Sequence, residues 1–92
     1  MVVENPYKQE QISDNKFIRT FDKNVLTEEL VWHRDRKDRE IKVLVGEGWE
    51  LQIDNCLPIP LIAESVYYIS AGTYHRIKRG TTDLVVEINE DI

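Results

Sequence analysis

The chain contains two histidines, His33 and His75, and the first is followed two positions later by a carboxylate, Asp35. In extended backbone, residues two apart project from the same face, so His33 and Asp35 would share a side of one strand. A second imidazole brought opposite them would complete a set of two nitrogen donors and one oxygen donor. Such a facial triad suits Fe(II) and also accepts Mn, Co, Ni or Zn. There is a plainer reading, in which His33 and Asp35 hydrogen-bond each other at the surface beside the solvated turn Arg36-Lys37-Asp38. A His-x-Asp spacing is short enough to recur by chance. The choice between these readings rests on the elements that carry His33 and His75.

Those elements read as strands. Lys16 to Phe21 alternates, with Phe17 and Ile18 on opposite faces. Val25 to Asp35 reads as a longer strand, with Leu26, Leu30 and Trp32 on one side and Val25, Val31, His33 and Asp35 on the other. Arg39 to Val45 follows, then a bend at Gly46-Glu47-Gly48. Trp49, Leu51 and Ile53 share a face of the next strand. Asp54-Asn55-Cys56 is a turn, because Asn and Asp tolerate left-handed backbone. Pro58 and Pro60 restrict Leu57 to Ile62 to a sheet edge. Ser65 to Ile69, Tyr74 to Lys78 and Leu84 to Ile88 complete the set, the last two joined by Arg79 to Asp83, where Gly80 suits a hairpin turn. No stretch keeps a helical period for ten residues. About eight short strands at this spacing indicate an all-β barrel or sandwich, and in a barrel one parity of each strand lines an interior. Residues 1–15 are polar and read as an N-terminal arm, either loose or docked on a partner subunit. Residues 16–92 read as the barrel.

Composition narrows the function classes. Twelve basic against seventeen acidic residues give a net charge of −5, with a pI near 5.0. An acidic domain lacks the electrostatic footprint for nucleic acid or an anionic membrane, so neither is expected as a partner. The lone Cys56 cannot form an internal disulfide. Met1 to Tyr7 lacks the basic-then-apolar plan of a signal peptide. The expectation is a cytoplasmic protein.

The run from His33 to Gly48, His-Arg-Asp-Arg-Lys-Asp-Arg-Glu-Ile-Lys-Val-Leu-Val-Gly-Glu-Gly, resembles the first motif of the cupin superfamily: His-x-His, three or four residues, Glu, six residues, Gly. Ile69-Ser70-Ala71-Gly72-Thr73-Tyr74-His75 resembles the second, Pro-x-Gly-x-x-His, with Ser70 in the proline position. The resemblance covers nearly the whole chain after residue 15. It implies a single jelly-roll barrel with one divalent metal ion (Fe, Mn, Ni or Zn). His33 takes the first ligand position, Asp35 replaces the second histidine, and His75 takes the last. Counting six residues back from Gly46 puts Arg39, not Glu40, in the glutamate slot.

Strand parity tests that slip. Arg39 shares a face with Ile41, Val43 and Val45, and Glu40 shares one with Lys42 and Leu44. An interior takes the branched apolar set, so Arg39 points inward unless a bulge resets the register. A guanidinium cannot ligate a metal and stays protonated. Inside, it either pairs with Asp35 or Asp38 or anchors an anionic ligand. Trp32 reads as a packing or dimer-interface residue. Tyr67, Tyr68 and Tyr74 read as core with a polar tip, and Tyr74 contacts a ligand if its loop turns it inward.

Three functions remain open. The first is a metal-dependent small-molecule enzyme, such as an oxygenase, isomerase or lyase, with His33, Asp35 and His75 on the metal and Arg39 and Tyr74 on a small anionic substrate. The second is a non-catalytic ligand-binding cupin with a degenerate metal site. The third is a scaffold. A homodimer formed through Leu26, Leu30 and Trp32 is compatible with each.

Overall fold

The structure, a computed structural model, describes residues 6–90. Residues 1–5 of the expected arm and 91–92 of the expected barrel lie outside it. The described residues form eight strands: β1 (Lys8–Gln11), β2 (Lys16–Phe21), β3 (Arg39–Val45), β4 (Glu50–Ile53), β5 (Ile59–Pro60), β6 (Val66–Ile69), β7 (His75–Lys78) and β8 (Leu84–Asn89). They build a five-stranded sheet in the order β1-β2-β8-β3-β6 and a three-stranded sheet in the order β5-β4-β7. Every pairing is antiparallel.

The core follows from alternation. Along β8, Leu84, Val86 and Ile88 are buried and the residues between them are not. Register pairs Phe17 with Ile88 and Phe21 with Leu84 on one side, and Ile41 with Ile88 and Val43 with Val86 on the other. Trp49, Leu51 and Leu61 close the core from the smaller sheet. Trp49 is fully buried, and its indole N–H donates to Thr82 O at 2.7 Å, so its polar edge loses no hydrogen bond inside. β5, with its proline, is an edge strand, as the sequence predicts. β1 falls within the segment read as an arm. It hydrogen-bonds along β2, and the Tyr7 ring meets Phe21 edge-on at 5.4 Å.

The structure corrects four local expectations. Residues 25–35 do not form a strand: Thr27–Glu29 is a 3-10 turn, the chain bends at Leu30, and only His33 makes an isolated bridge. Val25 and Leu30 are both buried, yet residues five apart face opposite sides of a straight strand. The turn rotates the chain so that both reach one core. Leu26 is 58% exposed and Leu30 is buried, so the dimer face expected of Leu26, Leu30 and Trp32 is not a single face. Residues 79–83 are not a hairpin turn. β7 pairs with β4 and β8 with β2 and β3, so this connection crosses from one sheet to the other. It packs under the bend at 46–48, where Thr81 N–H donates to Glu47 O at 2.9 Å. Finally, the register shifts between Val43 and Val45, which turns Val45 outward against the inward parity expected for it.

Candidate metal centre

The two segments resembling cupin motifs are joined through their backbones. His33 N–H donates to His75 O, and His75 N–H donates to His33 O, each at 2.9 Å. This isolated antiparallel bridge sets the two residues directly opposite, with ring centroids 4.3 Å apart. Gly72 N–H donates to Asp35 O at 2.9 Å, and Ala71 N–H donates to Asp38 Oδ1 at 2.7 Å. Gly72 has φ +79°, which a residue with a side chain adopts only with strain. Asp38 is therefore committed to the loop at 70–74 and not to Arg39.

Each imidazole is oriented by a carbonyl. His33 Nδ1 lies 2.9 Å from Val31 O, and His75 Nδ1 lies 2.7 Å from Thr73 O. A carbonyl only accepts, so both Nδ1 atoms carry their protons and each neutral ring presents the Nε2 lone pair. Both lone pairs meet Asp35: His33 Nε2 is 3.6 Å from Oδ1 and His75 Nε2 is 3.3 Å from Oδ2. One ligand atom from each residue lies within 4.8 Å of the others. The His75 contact is at ion-pair distance but lacks hydrogen-bond geometry, which leaves Asp35 Oδ2 a buried oxygen without a hydrogen-bonded donor. Three acceptors converging on one point need a cation between them, either a proton or a metal ion. The donor set fits a divalent metal, and backbone carbonyls fixing the far ring nitrogens are the usual outer support of such a site.

Electrostatics follow the same geometry. Burial alone would raise the Asp35 carboxyl and lower the His75 imidazole. The interaction between the two outweighs it in both cases, with the Arg39 charge helping Asp35 and the Thr73 carbonyl helping His75. Asp35 is held below its ordinary value and His75 above. Arg39 points inward, as parity predicts, with 14% of its side chain exposed. Its Nη1 is 3.1 Å from Asp35 Oδ1, and its Nε donates to Glu90 Oε2 at 2.8 Å. Glu40 does not line the cavity beside it.

That cavity, about 290 Å³, lies between the sheets. His33, Asp35, Arg39 and His75 line its polar part, and Leu51, Ile77 and Val86 are among its apolar walls. Glu29 and Val31 line it and are exposed, so they mark its mouth. Tyr74 is not among the lining residues. Its ring meets Trp32 edge-on at 5.4 Å, with the Arg34 guanidinium 4.9 Å from its centroid. Cys56 is exposed. Two residues escape the sequence reading, Glu90 and Arg19. Glu90 continues the inward parity of Leu84, Val86 and Ile88 one step past the expected strand end. Arg19 lines the cavity and shares the parity of Phe17 and Phe21. In both cases the signal was a charge on an apolar parity.

No family model matches the chain, and no curated protein matches it in sequence. Solved structures do match. A cupin domain from Bordetella pertussis Tohama I is similar with a TM-score of 0.63 and 14% identity, covering 99% of this chain and 100% of that one. A cupin-2 domain containing protein from Shewanella frigidimarina NCIMB 400 has a TM-score of 0.62 and 19% identity, over 89% of this chain and 76% of that one. KdgF from Halomonas sp. has a TM-score of 0.62 and 12% identity, over 100% of this chain and 87% of its own. At these identities the likeness is one of fold: this is the cupin jelly roll, with eight antiparallel strands in two sheets.

Proposed function

We propose that this chain binds one divalent metal ion through His33, Asp35 and His75 and takes a small ligand into the cavity those residues line. The observation that carries the reading is that two imidazole lone pairs, aimed by backbone carbonyls, meet the Asp35 carboxylate at its two oxygens, and that the buried Oδ2 has no hydrogen-bonded donor. A bound divalent ion supplies Lewis-acid chemistry at such a point. Val31 and Thr73 hold the tautomers, Arg39 orients Asp35, and the apolar walls keep water from the ligand's body. His33, with 45% of its side chain exposed, lies toward solvent, while His75 lies within.

Metal content per chain tests this, measured by elemental analysis on untagged protein prepared without chelator. Near-stoichiometric metal in the wild type, lost in His75→Ala, is the expected result. A wild type that stays metal-free after reconstitution with Fe, Mn, Ni and Zn overturns it.

A second reading has its own support in the Arg39–Asp35 contact. With His75 protonated, Asp35 sits between two cations, and the cluster is a structural ion network under a ligand cavity. The same measurement separates the two, since this reading requires no metal.

A further inference from the structure

The cavity contains two arginines, and they differ in one respect. Arg39 is neutralised twice, by Asp35 at 3.1 Å and Glu90 at 2.8 Å. Arg19 has no ion pair to any carboxylate among the described residues. Its Nε donates to the neutral amide Gln9 Oε1 at 2.8 Å. Its guanidinium carbon lies 4.0 Å from the Tyr7 ring centroid and 5.2 Å from that of Phe17. The two rings and the amide hold the guanidinium in place without cancelling its charge. Arg19 thus places a half-buried, oriented cation on the larger-sheet side of the cavity, paired in register with Val86 and with Phe21 and Ile88 also lining that side.

We propose that Arg19 anchors the carboxylate of a small organic monocarboxylate whose apolar body occupies this cavity. The Gln9 bond occupies Nε, and end-on recognition of a carboxylate uses the two terminal nitrogens of the fork. A cation held partly out of water without a counter-ion gains by taking one. The ligand carries a single negative charge, because Asp35 and Glu90 line or border the same polar end and repel a second. It is small, because about 290 Å³ is at the lower limit of small-molecule sites. The uncancelled charge places the anion anchor at Arg19 and leaves Arg39 to position Asp35. This inference rests on the reading of the cavity as a ligand site but not on the metal.

The experiment is a thermal-melt titration with butanoate, hexanoate and benzoate, each against its primary amide, on chelator-treated and on metal-loaded protein. In both states the carboxylates are expected to raise the melting temperature of the wild type and the amides are not. Arg19→Gln should weaken the apparent affinity about ten- to a hundredfold, the usual worth of a charge-assisted hydrogen bond. Arg19→Lys keeps the charge but loses the fork, so it should fall between the two. It also serves if Arg19→Gln does not fold. Carboxylate stabilisation that is unchanged in the Arg19 variants overturns the proposal. So does a wild type that no carboxylate of the panel stabilises in either state. A carboxylate effect that survives while metal binding fails would sink the metal reading alone.

Discussion

His33 and His75 exchange both backbone hydrogen bonds, each 2.9 Å long, although neither His33 nor its neighbours belong to a strand. One bridge thus brings the two imidazoles of the candidate centre together, their centroids 4.3 Å apart and their planes tilted by 58°. Their placement is a property of the backbone and does not depend on either ring. Removing a ring therefore removes a donor and leaves the bridge in place.

The first prediction concerns stabilisation by metal. At a free metal concentration a hundred times the dissociation constant, binding to the native state alone stabilises by about 2.7 kcal/mol. The wild type should show this as a rise in melting temperature that chelator reverses. His33→Ala and His75→Ala should fold with the same circular dichroism and show no rise. An equal rise in both variants would place the metal elsewhere.

Stability should depend on pH in opposite ways with and without metal. In the metal-free protein His75 titrates above its ordinary value of 6.5. Its contribution is full below that value and is lost as pH climbs through the raised one. Asp35 titrates below its ordinary 3.8, so its contribution is present above that value and lost as pH falls through the lowered one. Metal-free stability should therefore be greatest between the two ordinary values, and His75→Gln should remove the alkaline decline. Metal binding needs a neutral His75, so metal affinity should rise over the same alkaline range. Urea denaturation from pH 4 to 9, with chelator and with metal, measures both slopes.

Arg39 joins Asp35, in the segment before its own strand, to Glu90 just beyond β8. Arg39→Met leaves two largely buried carboxylates without the cation they share and should cost about 3 kcal/mol. Adding Glu90→Gln should recover part of that loss, giving a clear coupling in a double-mutant cycle. Strictly additive losses would mean that the ion pairs contribute nothing to one another.

Two glycines should respond differently to alanine. A Cβ on Gly80 would sit 2.2 Å from Glu47 O and 2.5 Å from Trp49 N, both backbone atoms that cannot swing aside. Gly80→Ala should break the packing of the crossover under the bend and unfold much of the population at room temperature. A Cβ on Gly72 meets nothing within 4 Å, so only its φ of +79° resists, at about 1 kcal/mol. Comparing the two urea midpoints tests the assignment of one glycine to packing and the other to backbone conformation.

Much of the site was legible in the linear pattern. His-x-Asp two apart, and the inward parity of Arg39 with Ile41 and Val43, follow from backbone geometry that each strand imposes on itself. Arg19 and Glu90 carry the same kind of signal and would have been found by asking which charges fall on an apolar parity. Val25 to Asp35 misled because its apolar residues alternate well enough for a strand. The competition of Val25 and Leu30 for one core decided its path, and a single strand does not register that competition.

Alternation along β2, β3, β4 and β8, the prolines of the edge and the left-handed turn at Asn55 were set locally, because they depend on dihedral preferences and near neighbours. The tertiary structure alone decided that β7 and β8 join different sheets and that Glu90 reaches Arg39 across 51 positions. It also aimed both imidazole lone pairs at Asp35 and left Arg19 without a carboxylate among the described residues. These outcomes depend on which distant groups end up within a few ångströms. Loop closure and the filling of one shared core select that arrangement, and no local periodicity encodes it.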